Sequence, residues 1–79
     1  MITVYSKNGC PHCVSATTLL DEEDMSYEVR KIDEDKEAAD FIQSKGHRSV
    51  PQIYRDGNLL CDGYQGLLKL WRENKLKSN

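Results

Sequence analysis

Residues 8–13 read Asn8-Gly9-Cys10-Pro11-His12-Cys13, and the rest of the chain is arranged around this dithiol. Strand-like residues precede it and helix-like residues follow it. Pro11 suits the first helical position, because its φ is fixed near the helical value and its missing N–H would have no intrahelical partner there. Cys10 would then lie at the helix N-terminus, where free N–H groups and the helix dipole favour thiolate over thiol. The stretch predicts a nucleophilic cysteine, with His12 placed to stabilise its thiolate further.

The composition limits the classes of protein to which the chain can belong. Its 79 residues suffice for one small domain, which we expect to span residues 1–79. A formal net charge of −2 provides no basic excess for a phosphate backbone, so a nucleic-acid partner is not expected. The chain opens directly with strand-like residues, and its apolar residues are dispersed, which predicts neither a signal peptide nor a membrane span. We therefore expect a cytoplasmic monomer with no membrane partner.

The three cysteines indicate redox or metal chemistry. Cys10 and Cys13 form a C-x-x-C pair, which in a leaderless chain is typical of a cytosolic protein rather than a secreted disulfide framework. A zinc pair is the alternative, since Cys61 and two histidines supply enough ligands on paper. We favour redox chemistry and no metal site, because a second correctly spaced pair is absent and Pro11 suits a disulfide turn. Cys61 is expected to be a small buried hydrophobe.

The remaining pattern predicts an α/β chain in the order βαβα-ββα. Strands are expected at residues 2–5, 27–32, 52–55 and 59–61, and helices at 11–23, 33–45 and 63–75. A strand–helix–strand unit implies two parallel strands, and Asp56-Gly57 predicts a tight turn between the last two strands. Together these elements predict a four-stranded mixed sheet flanked by three helices.

Individual side chains within these elements are expected either in the core or at the surface. Tyr5 and the helical stripe of Leu67, Leu70 and Trp71 are expected in the core. His47 is expected to be a surface loop residue.

This arrangement, with Cys10-Pro11-His12-Cys13 near the start and Val50-Pro51 in the middle, resembles the thioredoxin fold and, within it, the glutaredoxin family. The resemblance covers essentially the whole chain. It implies a thiol–disulfide oxidoreductase in which Cys10 is the exposed nucleophile and Cys13 the more buried resolving thiol. It also implies a cis bond before Pro51, which would place the Val50 backbone beside the sulfurs. No tightly bound cofactor is implied, since the cysteine pair is itself the redox group.

The resemblance further implies substrate contacts around the dithiol. Lys7 lies where the family has a lysine that helps to hold a substrate carboxylate. Arg48 is either a second contact of this kind or a solvated side chain. Gly63 and Tyr64 fall in the segment where the family carries its glycine pair, and Tyr64 is either packed at the rim or in contact with the partner.

The electron source stays open at this point. Asp62 replaces the first glycine of that pair, and Gly66 stands where glutathione-using members carry an aspartate for the tripeptide's ammonium. The segment around Tyr64 is instead similar to small redoxins that reduce ribonucleotide reductase for deoxyribonucleotide synthesis and are recharged by thioredoxin reductase. We expect such an electron carrier. The alternatives are a glutaredoxin that uses glutathione to act on glutathione mixed disulfides, and a non-catalytic metal- or thiol-binding module.

His12 is a further departure, because glutaredoxins more often carry tyrosine there. The same Cys-Pro-His-Cys setting occurs in strongly oxidising periplasmic proteins. Stabilising the thiolate stabilises the reduced form. We therefore expect a reduction potential less negative than that of thioredoxin, about −270 mV.

Overall fold

The computed structural model describes residues 1–76, so the last three residues of the predicted domain lie outside the described chain. Four strands and three helices follow one another within residues 1–76. They are β1 (Ile2–Ser6), α1 (Pro11–Glu22), β2 (Tyr27–Lys31), α2 (Lys36–Ser44), β3 (Gln52–Arg55), β4 (Asn58–Asp62) and α3 (Gly63–Arg72). The predicted order of elements is confirmed.

The strands form one mixed sheet in the order β2-β1-β3-β4. β1 pairs in parallel with β2 and antiparallel with β3, and β3 pairs antiparallel with β4. The β3–β4 turn has positive φ angles at Asp56 (50°) and Gly57 (85°), as a two-residue hairpin turn requires. The predicted parallel pair and tight turn are therefore both present.

Hydrophobic clusters lie on both faces of the sheet because successive side chains of β1 point in opposite directions. Val4 belongs to the larger cluster, which contains Ile2, Ala16, Leu19, Leu20, Ile53, Cys61, Leu67 and Leu76. Tyr5 belongs to the smaller one with Ala38, Ile42 and Tyr54, and its ring stacks on Phe41 with centroids 5.2 Å apart. The predicted burial of Tyr5 and Cys61 is confirmed.

Two helix boundaries differ from the prediction by three residues, and the other helix ends agree with it to within one residue. α2 begins at Lys36 rather than at residue 33, because the Asp35 carboxylate caps it by accepting a hydrogen bond from the Ala38 amide at 3.2 Å. α3 ends at Arg72 rather than at residue 75, since Asn74 adopts a left-handed φ of 57°. Local capping groups therefore shorten both helices.

Two side chains lie elsewhere than predicted. Trp71 was expected in the core but is 42% exposed, and Leu76, which lies beyond the end of α3, belongs to the buried cluster. His47 was expected at the surface, yet it is half-buried, and its Nε2 lies 2.8 Å from the Tyr54 hydroxyl. The hydroxyl supplies a hydrogen-bond partner that holds this ring against the smaller cluster.

The Asp35 carboxylate makes stability depend on pH. Hydrogen bonds from Arg30 at 2.7 and 3.0 Å, followed by the Ala38 amide, hold the pKa of Asp35 below its usual range. Because the folded pKa is depressed, the stabilisation is present above the unfolded pKa of about 3.9 and is lost as the pH falls through the lower folded value. We expect Asp35→Asn, which keeps a capping side chain, to flatten the loss of stability between about pH 5 and pH 2.

Urea unfolding of the wild type and the variant across this pH range measures the effect. Asp40→Asn is the control, because it removes an exposed carboxylate from the same helix, and within residues 1–76 that carboxylate forms an ion pair with Lys36 alone. Identical pH slopes for the wild type and Asp35→Asn would contradict the prediction.

Candidate active site

The β1–α1 connection presents Cys10 at the start of α1. Gly9 adopts a φ of 73°, a left-handed conformation that glycine enters at little cost. Cys10 follows as the N-cap residue with extended backbone angles, and Pro11 occupies the first turn. The predicted placement of the dithiol at a helix N-terminus is confirmed.

The Cys10 sulfur is held by backbone groups from two parts of the chain. It accepts a hydrogen bond from the Cys13 amide at 3.2 Å and lies 3.9 Å from the Val50 carbonyl oxygen, to which its thiol donates. Cys10 was expected to be exposed, but only 8% of it is, because the Val50 loop covers it. Cys13 is 3% exposed and is the more buried of the two, as predicted.

Burial makes the Cys13 thiol a weaker acid than an ordinary thiol. It raises the pKa of Cys13 above the usual value, and a hydrogen bond with the Cys10 side chain adds to the rise. Contacts from the Ser6 side chain and the Lys7 backbone act in the opposite direction. Cys13 therefore holds its proton at neutral pH, in a setting that also contains groups able to stabilise its thiolate.

A hydrogen-bonded network anchors the loop before Cys10, which the sequence analysis did not predict. The Asn8 amide donates to Asp33 at 3.0 Å, and Lys31 Nζ donates to Asn8 Oδ1 at 2.8 Å. The Asn8 side chain also donates to Glu34. These contacts tie the dithiol loop to the β2–α2 connection.

The Val50–Pro51 peptide bond is cis, as predicted. Val50 lies between two clefts that flank the dithiol. The first, of about 170 Å³, is lined by Lys7, His47 and Arg48 among other residues. The structure therefore brings together three predicted substrate contacts, Lys7, Arg48 and Val50, and adds His47 to them. The cationic side chains of Lys7 and Arg48 in this cleft suit a substrate carboxylate.

The second cleft, of about 320 Å³, lies on the other side of Val50. Predicted site residues His12, Pro51, Gly63 and Tyr64 line it together with Asp62. Tyr64 is half-buried and also packs against the larger core cluster, so both of its predicted roles fit its position. A third cleft, of about 440 Å³, contains Cys10 itself along with Lys7 and Pro11.

A buried glutamine connects the cis-proline loop to the start of α3. Gln52 is 1% exposed, and its Nε2 donates to the Ser49 carbonyl at 2.9 Å and to Asp62 Oδ1 at 2.7 Å. The Gly63 amide donates to the Pro51 carbonyl at 2.9 Å beside them. Gln52 Oε1 has no hydrogen-bond partner among residues 1–76. The hydrogen bond between Gln52 and Asp62 was not predicted from the sequence, although the aspartate that replaces a family glycine at position 62 was a signal for it.

Close packing explains the glycine at position 66. A Cβ added there would lie 3.2 Å from the Cys61 Cβ, so the last strand would have to shift by a few tenths of an ångström to accept one. α3 therefore packs directly against β4 at this point.

Two structural findings bear on other functions. Among residues 1–76, no group of three or more histidine, cysteine or acidic residues is arranged to hold a metal ion. None of the helices in that range combines the length and apolar character needed to cross a membrane.

Comparison with known proteins identifies similar chains. The family model described as Glutaredoxin matches residues 2–60. Glutaredoxin 1 of Rickettsia conorii is 37% identical over 78 residues, covering 95% of this chain and 76% of its own. Glutaredoxin-like protein NrdH of Lactococcus lactis subsp. lactis is 36% identical over 56 residues, covering 71% of this chain and 78% of its own.

Solved structures agree on the architecture. A buckwheat glutaredoxin–glutathione complex superposes with a TM-score of 0.81 at 25% identity, covering 95% of this chain and 71% of that one. The thioredoxin-like protein BC3987 superposes with a TM-score of 0.75 at 22% identity, and the match covers 92% of this chain and 97% of that one. The predicted thioredoxin-like fold is therefore confirmed.

Cys61 is chemically distinct from the dithiol. Burial, with a smaller effect from the Asp62 charge, raises the pKa of Cys61 to about 12. At pH 8 only about one Cys61 thiol in 10⁴ is then ionised, and the thiolate is the species that alkylates. We expect native protein with an oxidised dithiol to take up no iodoacetamide at pH 8 and one equivalent after unfolding, as counted by mass spectrometry.

Cys61→Ala provides the control for this experiment, because the oxidised variant should remain unlabelled even when unfolded. Labelling of Cys61 in the native wild type would contradict the assignment of this thiol to the core.

Proposed function

Because this chain belongs to the glutaredoxin family, we propose that it is a dithiol electron carrier that reduces protein disulfides, including that of ribonucleotide reductase. Members of the family are thiol–disulfide oxidoreductases. One observation carries the proposal: the Cys10 sulfur caps α1 within 3.2 Å of the Cys13 amide, with the cis-proline loop beside it. This acceptor would place the activity in the cytoplasm, with the protein acting as a monomer.

The proposed reaction transfers two electrons through one mixed disulfide. The Cys10 thiolate attacks one sulfur of the substrate disulfide, and the other substrate sulfur leaves as a thiolate. Cys13 then gives up its proton to a departing substrate thiolate and attacks the Cys10 sulfur. The substrate leaves with two thiols, and the protein keeps a Cys10–Cys13 disulfide. A reductant must reopen that disulfide before the next cycle.

The two cysteines suit different steps of this reaction. Cys10 lines a cleft that opens to solvent, so a substrate sulfur can approach it. Burial keeps Cys13 protonated until the mixed disulfide forms, which prevents both thiols from competing for the same substrate. Ser6 and the Lys7 backbone then stabilise the Cys13 thiolate as it attacks.

The clefts on either side of Val50 would hold the substrate. Lys7 and Arg48 face the first cleft and suit a carboxylate near the disulfide. His12 and Tyr64 face the second, where they would contact the partner polypeptide. Val50 would offer its backbone to the substrate between the two clefts.

Two observations support thioredoxin reductase as the electron source and ribonucleotide reductase as the acceptor. Glutaredoxin-like protein NrdH of Lactococcus lactis subsp. lactis aligns with 71% of this chain, and the segment around Tyr64 resembles the small redoxins that reduce ribonucleotide reductase. Gly66 carries no side chain, whereas the resemblance implies an aspartate at this position in members that use glutathione.

Glutathione is the second candidate for the reductant. The buckwheat glutaredoxin of similar fold is described in complex with glutathione. Lys7 and Arg48 in this chain would suit one of the tripeptide's carboxylates.

The electron source can be tested by reducing the oxidised protein with two coupled systems. One contains NADPH and thioredoxin reductase, and the other contains NADPH, glutathione and glutathione reductase. We expect the first to be at least about tenfold faster, equivalent to about 1.4 kcal/mol of activation free energy. A faster reaction with glutathione would favour the second candidate.

The cysteine roles predict different behaviour for two serine variants. Cys10→Ser should abolish turnover, because no nucleophile remains at the cleft. Cys13→Ser should trap mixed disulfides with substrate, visible by non-reducing electrophoresis, or keep residual one-thiol activity with glutathione. Cys61→Ala is the matched control and should retain wild-type turnover. Equal loss in both serine variants, with no trapped adduct, would argue against these roles.

A further inference from the structure

We propose that Asp62 is a specificity-determining residue in the second cleft, which borders the dithiol site at His12 and Val50, and that Gln52 is the positioning residue that fixes its carboxylate. Asp62 would bind an ammonium or guanidinium group on the polypeptide whose disulfide Cys10 attacks. The inference deepens the proposed function and rests on it, because it requires a disulfide substrate in the cleft.

The position of Asp62 places a negative charge in the cleft that Val50 shares. Asp62 ends β4 and lines the same cleft as His12, Val50 and Tyr64. Val50 carries the carbonyl oxygen that lies 3.9 Å from the Cys10 sulfur. A substrate chain that crosses Val50 from the Cys10 sulfur would therefore enter the cleft that Asp62 lines.

Gln52 holds that carboxylate in one orientation. Its Nε2 faces two acceptors, the Ser49 carbonyl and Asp62 Oδ1, so the direction of the amide is determined. Because Gln52 is 1% exposed, core packing allows its side chain little movement. One carboxylate oxygen of Asp62 thus accepts a hydrogen bond from a buried amide. The residue itself is exposed and lines the second cleft.

The Asp62 side chain does not cap α3, although capping is the usual role of an aspartate at a helix N-terminus. Asp62 is the N-cap residue of α3, where a side-chain carboxylate commonly accepts a helix N–H, but it makes no such bond. Among residues 1–76 it also forms no ion pair. The carboxylate is therefore directed to the buried amide and the cleft, and its charge is available to a ligand.

The opposite cleft has the complementary charge. Lys7 and Arg48 line it on the far side of Val50. A polypeptide that crosses Val50 therefore meets cations on one side and Asp62 on the other. This asymmetry favours a lysine or arginine on only one side of the substrate half-cystine.

The experiment measures the reduction of peptide disulfides that differ only in the residue next to the half-cystine. That residue is lysine, glutamine or glutamate. Each residue is tested on either side of the half-cystine in turn. Stopped flow with the reduced wild-type protein gives second-order rate constants at pH 7 in low and high salt. We expect lysine to react up to about fivefold faster than glutamate on one side only, with the difference shrinking in high salt.

Asp62→Asn is the main variant, because it removes the charge and keeps an acceptor for Gln52. It should bring the lysine-to-glutamate ratio on that side close to one. Asp56→Asn is the matched control. Asp56 lies at the β3–β4 turn with the Met1 ammonium 2.6 Å away, so its loss should not change the ratio.

Gln52→Met tests the positioning role separately. It keeps the buried volume and removes the amide, so it should lower the lysine preference while Asp62 is still present. A merely structural role would change the rates for all peptides equally and leave the ratio unchanged. If this variant does not fold, the Asp62→Asn result still decides the proposal.

The outcomes separate this inference from the proposed function. Peptide reduction without a lysine preference, or a preference that survives in Asp62→Asn, would overturn the role of Asp62 and leave the reductase activity intact. No Cys10-dependent reduction of any peptide would overturn both.

Discussion

The hydrogen bond from the Cys13 amide to the Cys10 sulfur connects the fold to the chemistry. The sulfur is the N-cap acceptor of α1, so the atom that satisfies an unpaired helix N–H is also the proposed nucleophile. α1 is itself anchored by Ala16 and Leu20, both 0% exposed in the larger core cluster. The sulfur therefore has the positional precision of the hydrophobic core rather than that of a surface loop.

β3 supplies the second half of the site. It pairs antiparallel with β1, which brings the residues preceding β3 back to the end of β1 where the dithiol loop begins. Val50 thereby meets Cys10 although forty residues separate them in the chain. The same sheet buries Cys61, where desolvation raises the thiol pKa to about 12. A cysteine beyond the end of β1 thus differs chemically from a cysteine within β4 that packs in the core.

The link between Gln52 and Asp62 has a structural cost. An unsatisfied buried oxygen such as Gln52 Oε1 typically costs about 1–3 kcal/mol. The hydrogen bond from its Nε2 to a charged carboxylate, at 2.7 Å, is of the stronger kind that offsets such a cost. Buried groups that carry an unsatisfied atom commonly serve function, which agrees with the place of Asp62 in the second cleft.

The sequence by itself determined the features that depend on neighbouring residues. The cap geometry of Cys10, the Asp56–Gly57 turn and the order of elements follow from local backbone preferences and hydrophobic periodicity. The cis bond at Pro51 and the role of Cys13 came from the resemblance to a known family.

Only the tertiary structure decided which distant groups meet. The Tyr54 hydroxyl holds His47, the Asn8 loop is tied to the β2–α2 connection, and Gln52 fixes Asp62. The burial of Cys10 and the exposure of Trp71 likewise depend on which segments cover them. Such contacts join residues whose separation in the chain carries no periodic signal, because the sheet register and helix packing set their distances.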